Sequence, residues 1–185
     1  MGGVTERLTV ARCVADIDWS RWEPVDPATL VFVLDGDRVL LIRKKRGLGA
    51  GMINGPGGRL EPGETPIACA VRETEEELGI TPTGLRLAGE NSFVFVDGYS
   101  IHVHVFVASG WTGEPRETDE AVPLWTRRDE IPYDEMWQDD RLWVPHMLAG
   151  RHFLGRFVFE GETLLDHRVS VGVAAGIPTG SGGAS

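Results

Sequence analysis

Cysteine is nearly absent from this chain: there are two, Cys13 and Cys69, in 185 residues. That excludes a disulfide framework and fits a reducing compartment. Basic residues are also scarce, 18 Lys and Arg against 28 Asp and Glu, for a net charge of −10. Polymeric nucleic acid is held by basic surface, so a DNA or RNA partner is not expected. A small phosphorylated substrate is compatible with the acidity if a metal ion accompanies it and brings the positive charge. No apolar run approaches the ~20 residues that span a bilayer, so no membrane partner is expected. Met1 to Val10 lacks a charged-then-apolar leader pattern, and the expectation is a cytoplasmic protein. With 42% hydrophobic and 25% charged residues, the composition is that of one globular domain with a proper core.

What the chain does have is one organising stretch, Gly58-Arg59-Leu60-Glu61-Pro62-Gly63-Glu64-Thr65 followed by Pro66 to Ile80. Thr65 is a good N-cap, since its hydroxyl accepts from a first-turn amide. Pro66 sits where its missing N–H costs nothing, and Gly79 suits the left-handed residue that closes a helix. At about 100° per residue, Ile67, Val71, Thr74 and Leu78 form the stripe expected to be buried, with Glu73, Glu76 and Glu77 on the other side. Thr74 then needs a partner for its hydroxyl, such as a carbonyl one turn back. Like charges at i, i+3 and i+4 destabilise a helix by a few tenths of a kcal/mol per pair. A hard divalent cation such as Mg²⁺ relieves that repulsion; alone, the acidic face reads as solvated surface. Cys69 projects toward the same face and reads as a small filler, because thiolate does not suit Mg²⁺.

Along the chain, residues 1–27 form an N-terminal extension with Trp19 and Trp22. Thr29–Leu34 and Arg38–Ile42 read as a hairpin about Asp35-Gly36-Asp37. Lys44-Lys45-Arg46 with Gly47, Gly49 and Gly51 reads as a loop that brings cations and amides to phosphates. Leu85–Ala88 and Phe93–Val96 read as separate strands, followed by Ile101–Val107. In that last strand His102 and His104 share a face; metal ligation is open, but hydrogen-bonded structural histidines are the expectation. Gly110–Glu120 reads as a polar loop and Val122–Thr126 as a strand. Asp139–Leu148 reads as a helix, and Phe153–Phe159 with Thr163–Val169 as a last hairpin. The expected fold is an α/β/α sandwich with a mixed sheet over 28–172, and a flexible Gly/Ser-rich tail over 173–185.

Gly58, Glu64, Arg72, Glu73, Glu76, Glu77, Gly79 and Ile80 resemble the Nudix box: Gly, five residues, Glu, seven residues, Arg-Glu, an apolar residue, any residue, Glu-Glu, any residue, Gly, apolar. Thr74 departs from the box, where an aliphatic residue is usual. The likeness extends from Thr29 to Val169, through Asn54-Gly55, Gly57-Gly58, His102-Val103-His104, Asp119-Glu120, Ile131-Pro132 and Met136-Trp137-Gln138-Asp139-Asp140. Over that span the chain resembles the MutT-homologue branch, whose members convert oxidised purine nucleoside triphosphates, 8-oxo-dGTP among them, to the monophosphate and pyrophosphate.

The resemblance implies a Nudix fold and a diphosphatase needing Mg²⁺, with Mn²⁺ as a substitute. It implies metal ligands at Gly57, Glu73, Glu76, Glu77 and Glu120, and a general base among Glu76, Glu77 and Glu120. It makes Arg72 the partner of a box glutamate. It sets Thr29, Lys44, Asn54, Gly57, Gly58, Arg59, Phe93, Trp137, Asp139 and Asp140 around the nucleotide, with monomer or homodimer both open. The residues agree: Trp137 offers a stacking face opposite Phe93, worth roughly 1–3 kcal/mol per base. Adjacent carboxylates tend to share one proton, so Asp139 and Asp140 can accept and donate along a purine edge. Helix N-capping is the other reading of that pair. Leu48, Ile53 and Pro56 stand where the branch carries aromatics, which bears on the base pocket and leaves the chemistry alone. Two rivals remain, a Nudix hydrolase for another nucleotide derivative and a non-catalytic nucleotide-sensing module.

Overall fold

The computed structural model describes residues 11–172. The first ten residues, and the tail expected over 173–185, lie outside the described residues. Strands β1 (Asp26–Asp35) and β2 (Arg38–Lys44) form the expected hairpin, with Gly36 left-handed at the turn. Next come β3 (Ile53–Asn54), helix α1 (Pro66–Leu78), β4 (Thr81–Phe95), β5 (Ser100–Thr112), β6 (Ala121–Arg127), helix α2 (Asp140–Leu148), β7 (His152–Glu160) and β8 (Thr163–Gly172). All strands join one mixed sheet in the order β3-β2-β1-β5-β4-β7-β8, with β6 on the free side of β2. The β1–β5 and β4–β7 pairs are parallel and the others antiparallel.

Helix α1 covers one face, packing Ala70 and Leu78 against Val31, Val33, Leu40, Ile42 and Phe106. Helix α2 covers the other, packing Trp143, Val144 and Met147 against Phe32, Leu41, Val105, Phe153 and Phe157. The alternating strand residues divide between these two cores, which gives the expected α/β/α sandwich.

One feature of the sheet positions everything else. β1 and β2 pair only near their turn, Val33–Asp35 against Arg38–Leu40, and then part. The chain from Ile53 to Leu60 runs into the gap. Ile53 and Asn54 pair with β2, while the Val31 amide donates to Pro56 O (2.8 Å), Thr29 to Gly58 O (2.9 Å) and Leu60 to Pro27 O (2.9 Å). The glycine turn is thereby stitched to β1 by main-chain bonds.

Three expectations shift. β4 is a single strand through Gly89-Glu90-Asn91-Ser92; a register shift between Leu87 and Gly89 absorbs the irregularity and lets pairing with β5 continue. β5 runs on to Thr112, so the polar loop is shorter than 110–120. The buried stripe of α1 is rotated: Cys69, Ala70, Thr74, Glu77 and Leu78 are inside, whereas Ile67 is 55% exposed. Burial of Glu77 turns the helix, because its carboxylate is drawn under the glycine turn. Thr74 donates to the Ala70 carbonyl at 2.7 Å, as its buried hydroxyl requires. The caps are as expected, with Ala68 N–H donating to Thr65 Oγ1 (3.2 Å) and Gly79 left-handed at φ 71°. The N-terminal extension is held by particular contacts: Val14 N–H to Asp166 (2.7 Å), Arg12 to Glu160 (2.9 Å), and the Arg156 guanidinium over Trp19 (4.6 Å).

Candidate active site

Glu77 is the pivot of the acidic face. It is 2% exposed, accepts from the Gly57 amide at 2.8 Å, and faces the Lys44 ammonium at 3.4 Å. Burial pushes its pKa up to about 7 against the pull of Lys44 and the Gly57 amide. Burial also raises the pKa of Glu73. Arg72 ties the box together: it donates to Glu64 at 2.9 Å through both Nε and Nη2, to Glu73 at 2.9 Å and to Glu76 at 3.1 Å. The Arg72 guanidinium holds the Glu64 carboxyl down at about 2.

The glycines are there for space. A Cβ on Gly58 would lie 2.3 Å from the Glu73 carboxylate, and one on Gly57 would lie 2.0 Å from the Thr29 carbonyl. Cys69 is a buried filler, its thiol against Thr29 Oγ1 at 3.4 Å and pushed up by burial to about 11.

This donor set suits a hard divalent cation. Glu73, Glu76 and Glu77 offer carboxylate oxygens from one helical face. Two of the three carry burial penalties that a cation would offset, and Arg72, Lys44 and the Gly57 amide offset them in part. The Glu120 carboxylate pairs with Arg46. The basic loop is likewise committed, with Lys45 bound to Glu117 and the Thr118 carbonyl, both at 2.6 Å. Only Lys44 of that trio lines the neighbouring cavity.

That cavity, of about 330 Å³, opens between the glycine turn and the start of α2, within the ~300–1,000 Å³ range of small-molecule sites. Lys44, Gly57, Gly58 and Arg59 stand on its wall with Thr29, and so do Asn54, Phe93, Trp137, Asp139 and Asp140. The residues that the resemblance sets around the nucleotide thus line one cavity, whereas Arg72, Glu73, Glu76, Glu77 and Glu120 are not on its wall. Asn54 Oδ1 accepts from the Gly55 amide at 2.8 Å, which leaves its NH₂ free to donate.

Asp139 and Asp140 are both buried. Asp139 accepts from the Trp143 indole at 2.9 Å, whereas Asp140 Oδ2 has no partner. Burial raises both pKa values, and the Asp139 charge lifts that of Asp140 further. Asp139 occupies the N-cap position of α2 without capping it by its side chain, so the capping reading fails.

Phe93 and Trp137 do not face each other as a pair. Phe93 stacks on Phe157 (ring centroids 5.1 Å apart), while Trp137 stands edge-on to Phe159 (5.6 Å) and Phe95 (6.5 Å). Sequence reasoning missed Phe95, Phe159 and Trp143 on the cavity wall. The i, i+4 spacing of Asp139 and Trp143 was the available signal for the last; nothing local marks the other two. Leu48 lines the cavity at 49% exposure, whereas Ile53 is in the core.

Clustered carboxylates beside an apolar pocket with polar ends are the equipment of a metal-dependent hydrolase of phosphate compounds. The Nudix domain family model matches residues 24–147, and the chain belongs to the Nudix hydrolase family. It is 45% identical over 143 residues to the oxidized purine nucleoside triphosphate hydrolase of Danio rerio, covering 76% of this chain and 92% of that one. To the protein of that name in Mus musculus it is 43% identical over 141 residues, covering 75% and 90%. Among solved structures, a MutT protein from Bacillus halodurans superposes with a TM-score of 0.71 at 30% identity, over 78% of this chain and 97% of that one.

Proposed function

We propose that the protein hydrolyses oxidised purine nucleoside triphosphates such as 8-oxo-dGTP to the monophosphate and pyrophosphate, and so cleans the nucleotide pool. The observation that carries this reading is the buried Asp139–Asp140 pair in the cavity wall, next to Trp137 and Asn54 and within the same cavity as Lys44 and the glycine turn. The names of the Danio rerio and Mus musculus relatives support it.

The base stacks on Trp137. Asp140 holds the proton of the pair and donates it to an acceptor on the purine edge, while Asp139, anchored by Trp143, accepts from a donor. The Asn54 amide adds a donor. The triphosphate runs toward Lys44, Arg59 and the Gly57–Gly58 main chain. Glu73, Glu76 and Glu77, with the Gly57 carbonyl, are the groups that would hold Mg²⁺ or Mn²⁺, and Glu120 would join them on leaving Arg46. A metal bound there supplies positive charge against the phosphate oxygens and promotes ionisation of the attacking water. Glu76, Glu77 or Glu120 takes the water's proton, and Arg72 fixes the glutamate rotamers.

The Nudix domain is assigned to 28–172, with an extension before it and a tail after it. We place the protein in the cytoplasm, as monomer or homodimer, acting on small nucleotides and on no nucleic-acid polymer. Both described cysteines are free thiols, and among the described residues no helix is long and apolar enough to cross a membrane.

A kinetic panel of 8-oxo-dGTP, 8-oxo-GTP, 2-hydroxy-dATP and dGTP tests the reading through kcat/KM and the released product. Oxidised nucleotides are expected to be preferred, with pyrophosphate released. Release of orthophosphate, or equal use of dGTP, overturns it.

A further inference from the structure

On the sheet face opposite the nucleotide cavity, His102 and His104 of β5 meet Glu90 of β4. Ile101 and Val103 line the cavity, so the alternating His102 and His104 point the other way, toward the α1 side where Phe106 and Ala108 pack. Glu90 lies across from His104 in the β4–β5 ladder, and Ser92 lies across from His102. The Glu90 Oε1 is 3.5 Å from His102 Nε2 and 3.4 Å from His104 Nε2. One ligand atom from each of the three side chains lies within 4.8 Å of the other two.

The separations are informative. They are long for hydrogen bonds, which centre near ~2.9 Å. They match the edges of a tetrahedral metal site, where bonds of about 2.0–2.1 Å set neighbouring ligand atoms about 3.4 Å apart. A histidine–carboxylate ion pair accounts for one ring only, since Glu90 has a single charge to share between two imidazolium ions. The other ring nitrogens are turned away from this meeting point. His102 Nδ1 meets Ser92 Oγ at 3.0 Å; in the tautomer whose Nδ1–H donates to that hydroxyl, Nε2 carries the lone pair a metal needs. His104 Nδ1 is buried, so Nε2 is the nitrogen this ring presents. Trp22 from the N-terminal extension lies edge-on to His102, ring centroids 6.3 Å apart, and shields one side of the group.

We infer that Glu90, His102 and His104 form a second metal site, for a zinc-class divalent ion, separate from the carboxylate set of α1. Two imidazoles and one carboxylate select Zn²⁺, Co²⁺ or Ni²⁺ over Mg²⁺, which prefers an all-oxygen shell. Because the ligands come from two paired strands, an ion held by them would cross-link β4 to β5.

The test is Zn²⁺ titration of the full-length chain after chelation, in excess Mg²⁺, followed by calorimetry and thermal unfolding. The wild type is expected to take up one Zn²⁺ per chain and to gain in Tm. His102→Ala and His104→Ala are expected to weaken that uptake by roughly tenfold or more, the scale on which even outer-shell losses act. Glu90→Gln weakens it too, and all three variants keep their Mg²⁺-dependent turnover. Should an alanine variant not fold, NMR of the wild type reads the same question: Zn²⁺ must shift the Cε1–H signals of His102 and His104. Uptake unchanged in the variants, or signals of those rings that do not move, overturns the inference.

Discussion

The Trp143 indole donates to the Asp139 carboxylate at 2.9 Å, one helical turn back along α2, and both side chains are buried. This bond gives Asp139 one partner inside the fold, while Asp140 beside it keeps a buried oxygen with none. An acid in that position retains its proton, which makes the two neighbours unlike: one acceptor and one donor. Asp139→Asn is therefore expected to raise the KM for 8-oxo-dGTP about tenfold, in line with ~1–3 kcal/mol for a buried polar partner lost, and to leave kcat nearly alone. Trp143→Phe should do the same more weakly. Steady-state kinetics checks both, and an unchanged KM for Asp139→Asn would favour a different nucleotide substrate.

Glu77→Gln separates chemistry from folding. The amide keeps the shape and can still accept from the Gly57 amide, but it removes a carboxylate from the proposed metal set. Turnover is expected to fall well below a tenth of wild type, while the circular dichroism spectrum stays the same. Activity above a tenth would remove Glu77 from the machinery.

The same residue makes the metal-free protein sensitive to pH. Its folded pKa, about 7, lies above the ordinary carboxylate value of 4.5. At this residue the folded state therefore binds more protons than the unfolded one, and the contribution of Glu77 to stability is fully present below pH 4.5 and is lost as pH rises through 7. The loss is on the order of 3 kcal/mol by linkage. Unfolding curves of wild type and Glu77→Gln without metal should thus converge at acid pH and separate toward pH 8, with Gln the more stable. Mg²⁺ should raise the wild-type Tm more at pH 8 than at pH 5.5, since protonated Glu77 is a poor ligand.

Gly49 and Gly47 share a φ of 77°, yet a Cβ on Gly49 would lie 2.9 Å from Trp137 Nε1, while one on Gly47 meets nothing within 4 Å. Alanine at either position should cost ~1–2 kcal/mol of backbone strain. Gly49→Ala should in addition push the indole and raise KM severalfold, whereas Gly47→Ala should not. Intrinsic Trp fluorescence with kinetics reads the difference.

Much of this was legible in the chain. Thr65, Pro66 and Gly79 bounded α1 because capping is local chemistry, acting within one turn. Asn54, Trp137, Asp139 and Asp140 were named through resemblance, with their donor and acceptor chemistry in agreement. The rotation of α1 was not legible: a hydrophobic stripe weighs Ile67 as inside and Glu77 as outside, and cannot know that a glycine amide waits to bond the carboxylate. Phe95 and Phe159 escaped for a related reason, as they reach the cavity through strand pairing across distant segments.

The order of residues by itself determined the box, the caps, the alternation of the strands and the acidic surplus, since each depends on neighbours a few positions apart. Tertiary structure decided what those parts do to one another. Stitching Pro56 and Gly58 to β1 put Gly57 over Glu77, and burial turned that glutamate from an ordinary surface acid into one with a pKa near neutrality. It also brought Glu90 across a strand ladder to two histidines that in sequence looked merely structural. Desolvation and cross-strand distance have no local signature, which is why only the folded chain reveals them.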